Sequence, residues 1–251
     1  MDRTKHLMGN HAKNFPPSSG HRWLLCGQSV GGPQGGPSTD AAELGTAAHE
    51  LFEVSMKEGK HPRTYEGRHF NIAYVADDAM IDAVEIAWEK LHPELNEKMP
   101  YGIEHEVLIP ATGETGTVDH WRFDHKTGTL YVWDYKNGRH KVEAKDNMQM
   151  RLYALGIIAR ISKMFNEPIK IVQIGIIQPN AQGDSVSIYG YTLAQLMTWG
   201  REKVAPQVAL IKSGKAPYKA GMHCTFCWKA PTCKALAKHV AAQTKTNWDI
   251  K

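Results

Sequence analysis

The sequence predicts an α/β protein, a sandwich of sheet and helices, and three observations carry that expectation. Apolar residues recur at helical spacing near 40–58, 77–91 and 147–165. Short β-rich runs bounded by turn residues stand between and after those stretches, and no internal repeat interrupts the order. With 251 residues, 42% of them hydrophobic and 22% charged, the chain can bury a real core, so general disorder is excluded. The length suits one elaborated domain, or one domain with an appendage.

Residues 1–38 are rich in Gly, Pro and Ser around one apolar island, Arg22-Trp23-Leu24-Leu25-Cys26, and read as an irregular arm with one short anchored turn. Thr39 or Asp40 caps a helix running to 58, with Ala41, Leu44, Ala48, Leu51 and Phe52 at helical spacing. A second helix, 77–91, carries Ile81, Val84, Trp88 and Leu91 on one stripe. A strand follows at 102–109, then a hairpin over 117–136 that turns at Lys126-Thr127-Gly128. The long helix 147–165 includes Leu152, Leu155, Ile158 and Ile161. Strands at 169–177 and 185–191 precede a helix starting near Leu193, which Pro206 should kink or restart. The chain thus divides into an arm (1–38), a core (39–211) and a C-terminal region (212–251).

Lys+Arg 30 against Asp+Glu 26 gives a net charge of +4, which excludes a strongly basic, histone-like DNA coat. The charge is uneven: residues 212–251 hold eight lysines and one acid, a net of +7, leaving −3 for residues 1–211. Such a cationic end attracts phosphate backbones, and it is equally what a solvated lysine-rich surface looks like. No run of about 18 uncharged apolar residues predicts a membrane span. The first residues lack the apolar stretch of a secretory signal, so a cytoplasmic protein is expected. Its four cysteines then read as ligands or free thiols rather than disulfides.

The most informative stretch is Gly116-Thr-Val-Asp119 followed by Val132-Trp-Asp134-Tyr-Lys136. A turn centred between Lys126 and Thr127 sets Asp119 opposite Asp134, with Cβ atoms about 5 Å apart, and puts Lys136 on the same face. Two adjacent carboxylates repel unless a cation lies between them, and hard oxygen ligands suit Mg2+ or Mn2+. An ammonium beside them can orient water or hold a phosphate, which fits phosphodiester hydrolysis. A hairpin whose charged face meets solvent accounts for the same residues. His49, in Gly45-Thr-Ala-Ala-His49, lies one turn after a glycine that lets its helix approach a sheet. It is either a site imidazole or a satisfied, partly buried histidine. Gln149 and Tyr153 share one helical face, as site residues or as an amphipathic boundary. The loop before them is basic, with Arg139, His140, Lys141 and Lys145.

In this order, His49, Gly116-Thr-Val-Asp119, Asp134-Tyr-Lys136 and Gln149-Met-Arg-Leu-Tyr153 resemble the RecB-like branch of the PD-(D/E)xK nucleases over roughly residues 40–160. The resemblance implies a restriction-endonuclease-like core, a mixed central sheet flanked by helices. It implies that Asp119, Asp134, His49 and the Tyr135 carbonyl ligate a catalytic Mg2+ or Mn2+, that Lys136 activates or orients water, and that Gln149 and Tyr153 line the site and touch DNA. An acidic residue on the preceding strand completes such sites, and Glu106 is preferred over Glu104.

Cys224-x2-Cys227-x5-Cys233 lies near the C-terminal end, and Cys26 stands 198 positions before Cys224. Four thiolates so placed can close a cage that ties the two ends of the chain. The arrangement resembles the iron–sulfur-stapled members of the same branch, among them CRISPR-adaptation and helicase–nuclease proteins, and so implies a [4Fe–4S] cluster. Zinc is the alternative, with His223 or His239 able to replace Cys26. Ser18-Ser-Gly-His-Arg-Trp-Leu-Leu-Cys26 and Glu43-Leu-Gly-Thr-Ala-Ala-His49 resemble a phage and prophage family of this branch, which implies phage origin and a bacterial host's cytoplasm.

The function implied is a metal-dependent DNA exonuclease acting on ends or single strands in recombination, replication or repair. Tyr153 is expected to stack on unpaired bases, whereas Phe226 and Trp228 suit either stacking or core packing. A CRISPR-type adaptation nuclease working with an integrase, or a non-cutting DNA-binding module, are the alternatives. No phosphate-cradling loop of Walker type is present in the sequence, so a recombinase, a helicase or a single-strand-binding protein is the expected partner.

Overall fold

The computed structural model describes residues 14–32, 39–95 and 99–248. Residues 1–13 and 33–38 of the expected arm lie outside the described residues, as do Asp249 and Lys251 of the cationic segment. The arm forms a short helix, α1 (Gly20–Trp23), and the core begins with α2 (Asp40–Glu58). Thr39 caps α2 by accepting from the Ala42 amide, and Gly59 ends it in the left-handed conformation at φ 62°. A two-stranded hairpin, β1 (His69–Phe70) and β2 (Tyr74–Val75), precedes α3 (Asp78–Leu91), whose cap is Asp77. That hairpin is too short to leave an alternation pattern in the sequence.

The sheet comprises β3 (Tyr101–Ile109), β4 (Glu114–Asp124), β5 (Thr129–Tyr135), β6 (Ile171–Ile177) and β7 (Val186–Thr192), in that spatial order. All neighbours are antiparallel except β5 and β6, which are parallel. Parallel neighbours need a crossover. Here it is α4 (Met148–Met164), capped by Asn147. The hairpin register is the one the turn predicts, with Asp124 opposite Thr129 and His120 opposite Trp133.

Alternation along β5 splits the core into two layers. Leu130 and Val132 face α4, whereas Trp133 and Tyr135 face α2 and α3. A third cluster joins the arm to the core, with Phe15 and Trp23 packed on Ile109, Leu152, Val204 and Val208. Because the sheet covers one side of α4 and the arm part of the other, its buried positions run well beyond a single stripe. Opposite Trp133 stands Gly175, and the indole fills the space a β-carbon would take. Gly175→Ala is therefore expected to lower stability by about 1–3 kcal/mol through overpacking, seen as a lower urea midpoint at unchanged slope.

After β7, Thr192 and Gln195 form a capping box for α5 (Leu193–Trp199). A wide π-turn, Gly200–Val204, then leads into α6 (Ala205–Lys212). Pro206 has no amide to donate and its ring crowds the preceding turn, which accounts for the expected restart at that point. The chain ends with α7 (Lys234–Trp248). Among the described residues, no helix is long and apolar enough to cross a membrane.

Candidate active site and cysteine centre

Asp119, from β4, accepts the Tyr135 amide at 2.8 Å through Oδ2, and the same oxygen lies 3.7 Å from His49 Nδ1 on α2. Among the described residues, one set of three His, Cys, Asp or Glu ligand atoms lies mutually within 4.8 Å: His49, Glu104 and Asp119. The preference for Glu106 is thereby corrected, since Glu106 is exposed and Glu104 joins the trio. The cause is backbone geometry. Ile103 packs with the α2–α3 layer while Val107 joins the α4 layer, so the facing of β3 changes between them, where Glu104 takes φ 46°. On β4, Val118 and Trp121 both join the α4 layer, three positions apart, so the break recurs beside Asp119. A non-glycine residue at positive φ is strained, and such strain collects at functional sites.

The second half of the site is a chain of polar contacts. Lys136 Nζ donates to Asp134 Oδ1 at 3.2 Å and lies 2.9 Å from Oδ2, where the contact is ionic without hydrogen-bond alignment. It also donates to Gln149 Oε1 at 3.4 Å. Gln149 Nε2 in turn donates to Asp134 Oδ1 at 3.1 Å and to the Tyr153 hydroxyl at 3.3 Å. Asp134, 2% exposed, is thus committed to Lys136 and Gln149 rather than to the trio. Tyr135 brings its amide to Asp119, and its ring turns to the other layer against His49 and Phe52.

Tyr153 is 7% exposed, and a β-carbon at Gly116 would come within 2.8 Å of its ring and of Pro17. Gly116 therefore lets α4 and the arm close on β4. The Tyr153 ring is covered and its hydroxyl accepts from Gln149, so it positions the site instead of stacking on bases as expected. The close approach expected at Gly45 is not found either: a β-carbon there meets open space, and Ala47 and Ala48 are the buried positions. In the basic loop, Arg139, His140, Lys141 and Lys145 are exposed, and Gln178 Nε2 holds the loop by donating to the Gly138 and His140 carbonyls.

Burial, then the charges of Asp119 and Glu53, push the Glu104 carboxyl up to about 9. Burial and the charge of Asp134 push Asp119 up to about 6, against the pull of His49, Lys136 and the Tyr135 amide. Burial draws the Lys136 ammonium down, but Asp134 and Asp119 outweigh it and hold its pKa above the ordinary value. Crowded carboxylates at this cost fit a divalent cation, and Glu104 Oε1 is buried with no hydrogen-bond partner among the described residues.

A raised carboxyl pKa favours the folded state below the unfolded value and loses that contribution as pH rises through the folded one. His120, buried and held down to about 3, works oppositely below its ordinary 6.5, while Lys136 stays charged in this range. The window from pH 7 to 9 therefore isolates Glu104. Chelated protein should lose about 1–3 kcal/mol there, and Mg2+ or Glu104→Gln should flatten the loss in thermal melts.

All four cysteines line one pocket that is open in part to solvent. The Lys219 amide donates to Cys26 Sγ at 3.4 Å, Arg22 donates to the Phe226 carbonyl at 2.6 Å, and Trp228 donates to the Ser29 carbonyl at 3.0 Å. These hydrogen bonds join the arm to the C-terminal region. His223 borders the pocket with Nε2 2.8 Å from the Lys219 carbonyl, and His239 is not among the lining residues.

The model of the family DUF2800, described as proteins of unknown function, matches residues 11–250. The chain belongs to that family. Among solved structures, the crystal structure of SSO0001 is 14% identical over 87% of this chain and 95% of that chain, with a TM-score of 0.36. A superposition at that level adds nothing to the assignment of fold or function for this family member.

Proposed function

We propose that this protein is a metal-dependent deoxyribonuclease with a RecB-like PD-(D/E)xK core, an exonuclease acting at DNA ends or on single strands. The observation that carries the reading is the presence, on neighbouring strands β3, β4 and β5 and the helices α2 and α4 packed on them, of the His49, Glu104 and Asp119 trio and the Asp134, Lys136, Gln149 and Tyr153 chain. A bound Mg2+ or Mn2+ supplies Lewis acidity toward the phosphoryl oxygen and makes water more acidic. His49, Glu104 and Asp119 would hold that ion. Asp134 and Gln149 fix Lys136 so that its ammonium meets a phosphate oxygen or an attacking water from one direction. The Tyr153 hydroxyl accepts from Gln149 and so fixes it, and the Tyr135 amide fixes Asp119.

In the same reading, Cys26, Cys224, Cys227 and Cys233 hold a [4Fe–4S] cluster whose role is structural, binding the arm to the C-terminal region. The protein then serves phage-type recombination, replication or repair, where a helicase, recombinase or single-strand-binding protein presents DNA ends. Time courses on end-labelled linear DNA and on covalently closed circles, with Mg2+ or Mn2+, test the proposal. Progressive shortening of linear DNA only is expected. Discrete cuts, or equally rapid cleavage of closed circles, would overturn the exonuclease assignment.

A further inference from the structure

We infer that the cysteine-bearing region presents a stacking platform for single-stranded nucleic acid, centred on Phe226 and flanked by lysines. Phe226 is 75% exposed and Met222 90% exposed, and Tyr218 and Trp228 are exposed nearby in sequence. Two of them are anchored to the arm without loss of that exposure, Phe226 through its backbone and Trp228 through its indole edge. Phe226 rides on the turn closed by the Cys227 amide on the Cys224 carbonyl, and its own carbonyl is held by Arg22. The Trp228 indole N–H is fixed to Ser29, and Lys229 lies 5.0 Å from the Trp228 ring centre and 5.7 Å from that of Tyr218.

Charge selects the occupant. Between Glu202 and Asp249 the sequence has eight lysines and no carboxylate, and Lys215, Lys219, Lys234 and Lys238 are exposed. Exposed rings in a lysine-bearing stretch whose sequence carries no carboxylate match a backbone with unpaired bases. Bases in a duplex hide the faces that an aromatic ring needs, whereas a single strand offers both faces and phosphates. This extends the proposed nuclease by naming where a strand is held away from the reacting atoms, and it rests on that reading only for the strand's destination.

The test is fluorescence anisotropy with anaerobically purified full-length protein, without divalent ions. The probes are labelled oligo(dT) of ~16 nucleotides, an abasic phosphodiester of equal length and a blunt duplex. Oligo(dT) should bind about tenfold more tightly than the abasic chain. Phe226→Ala should remove most of that difference and leave abasic binding unchanged, and Phe226→Trp should restore it. Equal affinity for the two single-stranded probes, or no effect of Phe226→Ala, would overturn the platform. So would a Phe226-dependent preference for anionic phospholipid vesicles or an acidic peptide over oligo(dT). Unchanged melting and visible absorbance of Phe226→Ala confirm that the lobe is intact. Cleavage of the same oligonucleotide after Mg2+ addition separates the two claims: base-dependent binding without cleavage keeps the platform and removes the nuclease, and cleavage without a Phe226 effect does the reverse.

Discussion

Asp134→Asn is expected to lower DNA cleavage about a thousandfold while leaving the fold intact. The substitution keeps the shape of a side chain that is 2% exposed, so no cavity opens. What changes is charge. Lys136 loses the carboxylate that outweighs its burial, and Gln149 Nε2 no longer meets an anion at Oδ1. Asp119 also loses the nearby charge that helps hold it protonated, so its carboxyl becomes more acidic. Alanine at 134 is the poorer test, because it leaves a partly buried ammonium facing a void, and breaking such a pair costs several kcal/mol by itself. His49→Ala should be milder, about ten- to a hundredfold, since two carboxylates of the trio remain. Single-turnover rates on end-labelled DNA, with melting curves as control, measure both. Wild-type rates in Asp134→Asn under equal metal and salt would remove the mechanism.

Cys26→Ala carries the second large effect. Anaerobically purified wild-type protein should be brown and contain iron and sulfide, and the variant should lose that colour and melt well below it. A centre held by ligands 198 positions apart closes most of the chain into one loop, so its binding energy becomes folding energy. The loss should reach several kcal/mol, on the order of that for cross-linking a loop of about 100 residues. Alanine at Cys224, Cys227 or Cys233 should behave alike. Zinc without iron would reject the cluster and keep the staple. Unchanged metal content in Cys26→Ala would show that the two ends of the chain are not joined through that thiolate.

The register of the carboxylate hairpin was legible because a short turn fixes which residues face each other, and the pairs from Asp124 and Thr129 onward follow it. Helix boundaries at Thr39, Asp77 and Asn147 were legible for a similar reason, since each cap is a local hydrogen bond between near neighbours. Glu104 was not. Uniform alternation makes Glu104 and Glu106 equivalent, and nothing in the residue type announces φ 46° at a glutamate. Gly45 misled because a glycine's freedom to approach a sheet is not an approach. Tyr153 matched its motif, but its burial depends on Gly116 and Pro17, which meet it only in three dimensions. The exposure of Phe226 and Trp228 is likewise a matter of three-dimensional placement, which composition does not encode.

If a divalent cation at His49, Glu104 and Asp119 drives DNA hydrolysis, a Mn2+ titration that reads bound metal and cleavage of linear DNA from the same sample must show the two together. Cleavage should rise with site occupancy, stop with chelator and return with Mn2+ or Mg2+, and Glu104→Gln should weaken metal binding and cleavage together. Full cleavage by Glu104→Gln with its Mn2+ binding abolished, or stoichiometric Mn2+ binding by wild-type protein with no cleavage of linear DNA, would contradict that role of the cation.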